Sequence, residues 1–231
     1  MIKYPIEWDK IGIKVNPVDI YNELCSIIES LNINNISLSG GIDSSILLSI
    51  MTKVLNRKIE CFTVALNNKH PDYLFSKMIS DKFNAKLNIL FLNKKCSGDE
   101  NVRYFYEFVL REGTSNIIAG DGIDELSCGY YDHVKYVNKS DIYYSYLNRL
   151  VEEQLIPLNK NSRDVNVFLP YLDARIVEML LCFPLKDKIK NNERKVIINS
   201  IAKNYCNIPD SVINRWKYGF CSASEIKIPR D

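Results

Sequence analysis

The 231 residues carry 30 Lys and Arg against 28 Asp and Glu, and a net charge of +2 gives no whole-chain field that marks the protein for nucleic acid or a membrane surface. Hydrophobic residues make up 46% of the chain, enough at this length for a substantial core, yet no apolar run reaches the length of a membrane span. Seven cysteines without a Cys-x-x-Cys pair, and only His70 and His133 beside them, exclude a clustered zinc site or a disulfide framework and predict reduced, mostly buried thiols in a cytoplasm.

Met1-Ile2-Lys3-Tyr4-Pro5 leads into mixed polar sequence and does not read as a signal peptide. Residues 17–31 space Ile20, Leu24, Ile27, Ile28 and Leu31 as the buried stripe of an amphipathic helix. Residues 33–38 are a short β-branched run ending in a Gly pair, and 46–55 read as a buried helix. A second strand over 59–66, a helix near 71–83, a third strand over 86–92, a helix over 101–110 and a fourth strand over 116–119 follow. Strands alternating with helices predict an α/β fold, a doubly wound parallel sheet with right-handed crossovers. After about residue 135 the strands are expected to stop, with helical patterns at 141–154, 174–182 and 193–205. The expected organisation is one domain over 1–231, its α/β nucleotide-binding core reaching about residue 135 and a helical part packed on it from about 136.

Ser39-Gly40-Gly41-Ile42-Asp43-Ser44-Ser45 stands where a strand ends and a helix begins, the place where open parallel sheets bind ligands. The glycines allow a tight turn and close approach of a ligand, and the first helical turn aims free N–H groups at an anion. Asp43 is the odd member, because a carboxylate repels phosphate unless a cation lies between them; a magnesium ion would resolve the conflict. A Gly-Gly turn with a Ser or Asp helix cap accounts for Ser-Gly-Gly alone, but the seven-residue string after a strand is far more specific. It lacks the Gly-Lys-Ser/Thr of a Walker-type loop.

The string resembles the pyrophosphatase loop of the PP-loop ATP pyrophosphatases, which adenylate a substrate and release pyrophosphate. Gly120-Asp121-Gly122-Ile123-Asp124-Glu125-Leu126 followed by Gly129-Tyr130 is similar to the second signature of asparagine synthetases and β-lactam synthetases. Phe168-Leu169-Pro170-Tyr171-Leu172-Asp173 resembles their Pro-Phe-Leu-Asp segment. Arg194-Lys195 with Arg215-Trp216-Lys217-Tyr218-Gly219-Phe220 resembles their closing lysine segment. The matches come in the family's order over roughly residues 20–222.

The resemblance implies an adenine nucleotide α-hydrolase-like fold, ATP as a substrate and Mg2+ as the metal. It assigns Asp43 and Asp124 to the magnesium and Asp121 to the proton of the attacking nitrogen. Glu125 would hold its loop by hydrogen bonds, and Asp173 would fix the Pro170 turn. Lys217 would stabilise charge at the reaction centre, and Lys195 is a second catalytic lysine, directed at pyrophosphate. Ser39, Gly40, Gly41, Ser44 and Ser45 belong to the pyrophosphate loop. Leu38, Val64, Ala119 and Gly120 match positions that contact adenine or ribose, where backbone groups would read the adenine edge.

Three departures shape the expectation. Asparagine synthetases carry an N-terminal glutaminase whose nucleophile is the cysteine directly after the initiator Met, whereas position 2 here is Ile and no glutaminase-sized segment precedes the loop. Ammonia or an amine is therefore expected to come free or from a separate glutaminase subunit. The stretch over 93–115 is shorter than the family's by around one helix. That region helps form the amino-acid pocket, so the acceptor is left as a small-molecule carboxylate with aspartate in question. Cys128 stands where a Gly is expected before Gly129.

The reading is an amide-forming, AMP-forming ligase: ATP adenylates a carboxylate, and ammonia or an amine displaces AMP. The alternatives are another PP-loop adenylating enzyme, acting on tRNA or a nucleobase or forming a lactam, and a non-catalytic nucleotide-binding subunit. Neither nucleic acid nor a membrane is expected as a partner, and a homo-oligomer stays open.

Overall fold

Five short strands form one sheet in the computed structural model, which describes residues 15–92, 96–136 and 140–215. They are β1 (Asn35–Ser37), β2 (Glu60–Ala65), β3 (Lys86–Phe91), β4 (Asn116–Ile118) and β5 (Asn166–Phe168), all parallel and in the order β3-β2-β1-β4-β5. The helices are α1 (Pro17–Leu31), α2 (Ile42–Val54), α3 (Pro71–Lys82), α4 (Gly98–Arg111), α5 (Ile123–Leu126), α6 (Tyr131–Lys135), α7 (Ser140–Leu150), α8 (Ile156–Ser162), α9 (Ala174–Leu181), α10 (Leu185–Lys188), α11 (Val196–Asn204) and α12 (Asp210–Ile213).

Alternation along the strands explains why both faces are covered. Cys61 and Ile118 point into a large cluster with α1, α2, α9 and α11, while Phe62, Val64 and Ile117 point into a second cluster with Phe105, Phe108 and Val109 of α4. Residues one apart on a strand face opposite sides, so a sheet apolar on both faces must be sandwiched between helices. That is the doubly wound arrangement the sequence predicts.

Several boundaries differ from the sequence expectation for local reasons. α2 begins at Ile42, so Asp43, Ser44 and Ser45 form the first helical turn rather than a loop before it. α4 begins at Gly98, three residues early, because Ser97 and Glu100 form a reciprocal cap: the Ser97 N–H donates to Glu100 Oε2 at 2.8 Å, and the Glu100 N–H to Ser97 Oγ at 3.3 Å. The expected helix over 141–154 is α7 followed by one π-helical turn, Val151–Leu155, and then α8.

The expectation that strands stop near residue 135 is corrected by β5. Its three residues, Asn166-Val167-Phe168, pair in parallel with Asn116-Ile117-Ile118 and close the sheet on the side away from β3. Three residues are too few to show a period, which is why the segment reads as a connection in the sequence.

Cys61, Cys96, Cys128 and Cys206 are buried and Cys25 and Cys182 half-buried, all as free thiols; Cys221 lies outside the described residues. No helix among the described residues is long and apolar enough to cross a membrane.

Candidate active site

The phosphate loop leaves β1 at its carboxyl end and turns into α2. Gly40 makes the turn at φ +68°, and a Cβ there would lie 2.4 Å from Ser76 N and 2.6 Å from the Phe75 carbonyl carbon, so the position takes only glycine. The loop is fastened internally: the Ser39 N–H donates to Ser44 Oγ at 3.3 Å, and Ser45 Oγ donates to the Gly41 carbonyl at 2.7 Å. Gly41 precedes the helix, so the N–H groups of the first turn lack intrahelical acceptors and face the cleft as an anion site.

The acid loop leaves β4 beside it. Asp121 is exposed, Gly122 bends the chain at φ +87°, and Asp124 and Glu125 lie on the short helix α5. Glu125 is buried and accepts from the Tyr130 hydroxyl and from the Gln154 amide of the π-helical turn. It is therefore a bracket for the loop, consistent with its expected role. Asp121 lies near Tyr106, whose phenol is pushed well up by burial and further by the Asp121 charge.

Lys195 joins the two loops. Its ammonium lies 2.7 Å from both carboxylate oxygens of Asp43 and 2.7 Å from Asp124 Oδ1, and its side chain is 8% exposed against 20% for Asp43 and 18% for Asp124. Burial works against the ammonium charge, but Asp124 and Asp43 outweigh it and hold the pKa above the ordinary lysine value. The approach is close enough that Gly129 is required: a Cβ there would fall 1.9 Å from Asp124 Oδ1 and 2.6 Å from Lys195 Cε.

The segment over 168–173 supports both loops from below. The Tyr171 hydroxyl donates to the Asp43 carbonyl at 3.0 Å, and Leu172 packs where a Cβ on Gly122 would come within 2.4 Å of its Cδ2. Asp173 caps α9, its Oδ1 accepting from the Arg175 N–H at 3.0 Å, and its own N–H donates to the Pro170 carbonyl. Cys128 takes a φ of +60° and is buried, so a side chain is carried where a left-handed turn favours glycine.

These parts enclose a cleft of about 730 Å³, a size suited to a nucleotide and a second small molecule. Of the expected site residues, Leu38, Ser39, Gly41, Asp43, Ser44, Val64, Gly120, Asp121, Asp124 and Lys195 line it. Three do not. Gly40 is pressed against α3, Ser45 is fully buried under the loop, and the Ala119 N–H donates to the Phe168 carbonyl as part of the sheet. Leu38 lines the cleft, but its backbone is not free to read an adenine edge. Its N–H donates to Phe62, and its carbonyl accepts from both Thr63 Oγ1 and Ser76 Oγ, which uses both lone pairs. Lys217 lies outside the described residues.

Sequence reasoning missed two elements. Arg215 forms a buried ion pair with Asp72 of α3, donates to the Ser39 carbonyl at 2.8 Å and lies 4.6 Å over the Phe75 ring. It ties the end of the described chain to the start of the phosphate loop. Burial raises the Asp72 pKa, opposed by Arg215 and His70. The second is Gln154, which reaches Glu125 from the π-helical turn. A charge pair 143 residues apart leaves no local signal, although the single π-helical turn is itself a frequent mark of functional segments.

The donor set suits a magnesium ion. Asp43 and Asp124 converge on one point, now taken by the Lys195 ammonium, and sit beside an anion-binding helix terminus. Magnesium is commonly held by one or two carboxylates completed by phosphate oxygens and water, so a cage of three or more protein ligands is not needed; none occurs among the described residues.

Comparison with protein families matches the chain to a family described as asparagine synthase, over residues 35–100 and 160–229, more than half of its length. Comparison with curated proteins gives no match. Among solved structures, the chain is similar to an NH3-dependent NAD synthetase from Campylobacter jejuni subsp. jejuni NCTC 11168, in complex with the nitrate ion. The identity is 16%, the TM-score 0.40, and the match covers 71% of this chain and 92% of that one.

Proposed function

The chain belongs to the asparagine synthase family, and from that premise we propose that it is an ATP-dependent carbon–nitrogen ligase that releases AMP and pyrophosphate. The observation that carries the reading is the meeting of the phosphate loop and the acid loop at one charge cluster, with Lys195 at 2.7 Å from Asp43 and from Asp124.

The chemistry follows from the placement. The triphosphate of ATP docks on the first turn of α2 and the hydroxyls of Ser39 and Ser44. Asp43 and Asp124 would hold magnesium, which would supply positive charge against the triphosphate. Lys195, sharing those carboxylates, is placed to meet the charge that develops on the departing pyrophosphate. A carboxylate of the acceptor attacks the α-phosphorus, the bond to the pyrophosphate oxygen breaks, and an acyl-adenylate forms. Ammonia or an amine then attacks the acyl carbon and AMP leaves, with Asp121 taking the nitrogen's proton. Most of the acceleration in such a scheme is positioning and preorganised charge.

ATP–pyrophosphate exchange tests the first half-reaction. Label from pyrophosphate should enter ATP only when a carboxylate acceptor and Mg2+ are both present. Exchange driven by a nucleobase or tRNA instead would move the chain to another adenylating activity, and a purified chain that binds ATP but exchanges with no acceptor would make it a nucleotide-binding subunit.

A further inference from the structure

Beyond the two loops the cleft continues into a chamber with a different lining. α4 contributes Val102 and Tyr106, and α8 contributes Pro157 and Leu158. Val102 and Leu158 are half-buried and pack on the second apolar cluster, so the chamber floor is an open edge of that core. Asp121 stands at its mouth beside Tyr106.

Asp99 of α4 and Glu153 of the π-helical turn line the same cleft as exposed carboxylates, and the nearby hydroxyl and amide have other work. The Tyr130 hydroxyl and the Gln154 amide both donate to Glu125 behind the wall. Among the described residues, three basic side chains line the cleft. Lys195 is held by Asp43 and Asp124, and Arg215 by Asp72. Arg194 donates to the Gly129 carbonyl and lies 3.9 Å over the Tyr131 ring. An aspartate-like acceptor would bring a second carboxylate into a chamber rimmed by Asp99, Asp121 and Glu153, where it would lose water while the basic side chains described are already engaged. A ring or branched chain would instead cover apolar surface already exposed there.

We propose that the acceptor is a small carboxylic acid with an apolar body, aryl or branched alkyl, seated against Val102, Tyr106, Pro157 and Leu158 with its carboxylate toward Asp121 and the nucleotide. The inference rests on the carboxylate-adenylating reading of the cleft and concerns which acid the chamber holds.

Isothermal titration of the full chain, with Mg2+ and a non-hydrolysable ATP analogue present, tests it with phenylacetate, isovalerate and aspartate as probes. Phenylacetate or isovalerate should bind at least about 10-fold tighter than aspartate. Leu158→Trp, which fills the chamber, and Leu158→Asn, which makes its floor polar, should each weaken the apolar acid by at least about 10-fold while the analogue binds within about 2-fold of the parent. Aspartate binding as tightly as the apolar acids, binding of neither apolar acid, or indifference to both variants overturns the assignment. Exchange assays with the same acids separate the two claims. An apolar acid that binds but supports no exchange removes the adenylation reading and leaves the chamber specificity standing; exchange with aspartate alone does the reverse.

Discussion

Replacing Lys195 with Met should destabilise the protein in a way that magnesium repairs. The ammonium is nearly buried and offsets the charge of two carboxylates at 2.7 Å, so its removal takes away the cation that bridges Asp43 and Asp124. Breaking a fully buried pair costs about 3–5 kcal/mol, and the residual exposure of both carboxylates reduces this to roughly 2–3 kcal/mol. For a chain of this size that corresponds to a fall of roughly 5–10 °C in Tm. Thermal unfolding in EDTA and in millimolar Mg2+ separates the contributions. The parent should respond weakly to the metal, because the lysine occupies the point where the carboxylates converge, whereas Lys195→Met should regain much of its loss. A variant that unfolds at the parent temperature in EDTA would refute the bridging role. One that is destabilised but gains no more from Mg2+ than the parent would refute the two carboxylates as a metal site.

Asp43→Asn and Asp124→Asn should each lower Mg2+-dependent turnover by at least about 100-fold while circular dichroism shows a folded chain; parental activity in either would remove that residue from the reaction. Gly129→Ala should drive Asp124 from Lys195, since its Cβ would fall 1.9 Å from Asp124 Oδ1, and should cost more than about 2 kcal/mol in a urea melt; a smaller cost would mean that the loop yields freely. Lys188 gives a pH test, because burial lowers its pKa to about 7, with Cys128 and Cys182 opposing weakly. Between about pH 7 and about pH 10 the unfolded chain binds a proton that the folded chain does not, so this group makes stability rise with pH through that window and contributes no slope below it. Lys188→Met should flatten the rise, and the stability difference should move toward the parent by more than about 1 kcal/mol from about pH 7 to about pH 9.5. An unchanged slope would show that Lys188 titrates as an ordinary lysine.

What could be read from the sequence depended on whether the signal was local. The Ser-Gly-Gly-Ile-Asp-Ser-Ser string sits at a strand-to-helix junction because a short β-branched run precedes it and an apolar helix follows, and both neighbours could be read. The acid loop was equally visible, since Gly120 and Gly122 bracket Asp121 next to a strand. Lys195 was found, but its bridge to Asp43 and Asp124 was not, because contacts across 152 and 71 positions leave no period in either segment. Arg215 with Asp72 failed for the same reason. β5 escaped because the three residues Asn166-Val167-Phe168 are too few to show an alternation, and α4 began early because its start is set by the Ser97–Glu100 cap rather than by apolar spacing. The backbone reading of Leu38 failed because sheet and α3 partners already occupy its N–H and carbonyl, which only the folded arrangement reveals.

The identity of the phosphorus products tests the central claim most directly. With ATP, Mg2+, ammonium and an accepted carboxylate, 31P NMR of the reaction should show AMP and pyrophosphate appearing together, in equal amounts and in step with the amide. ADP and inorganic phosphate as the main products would contradict the account, because a loop that holds the β- and γ-phosphates as the leaving group cannot deliver cleavage at the γ-phosphorus.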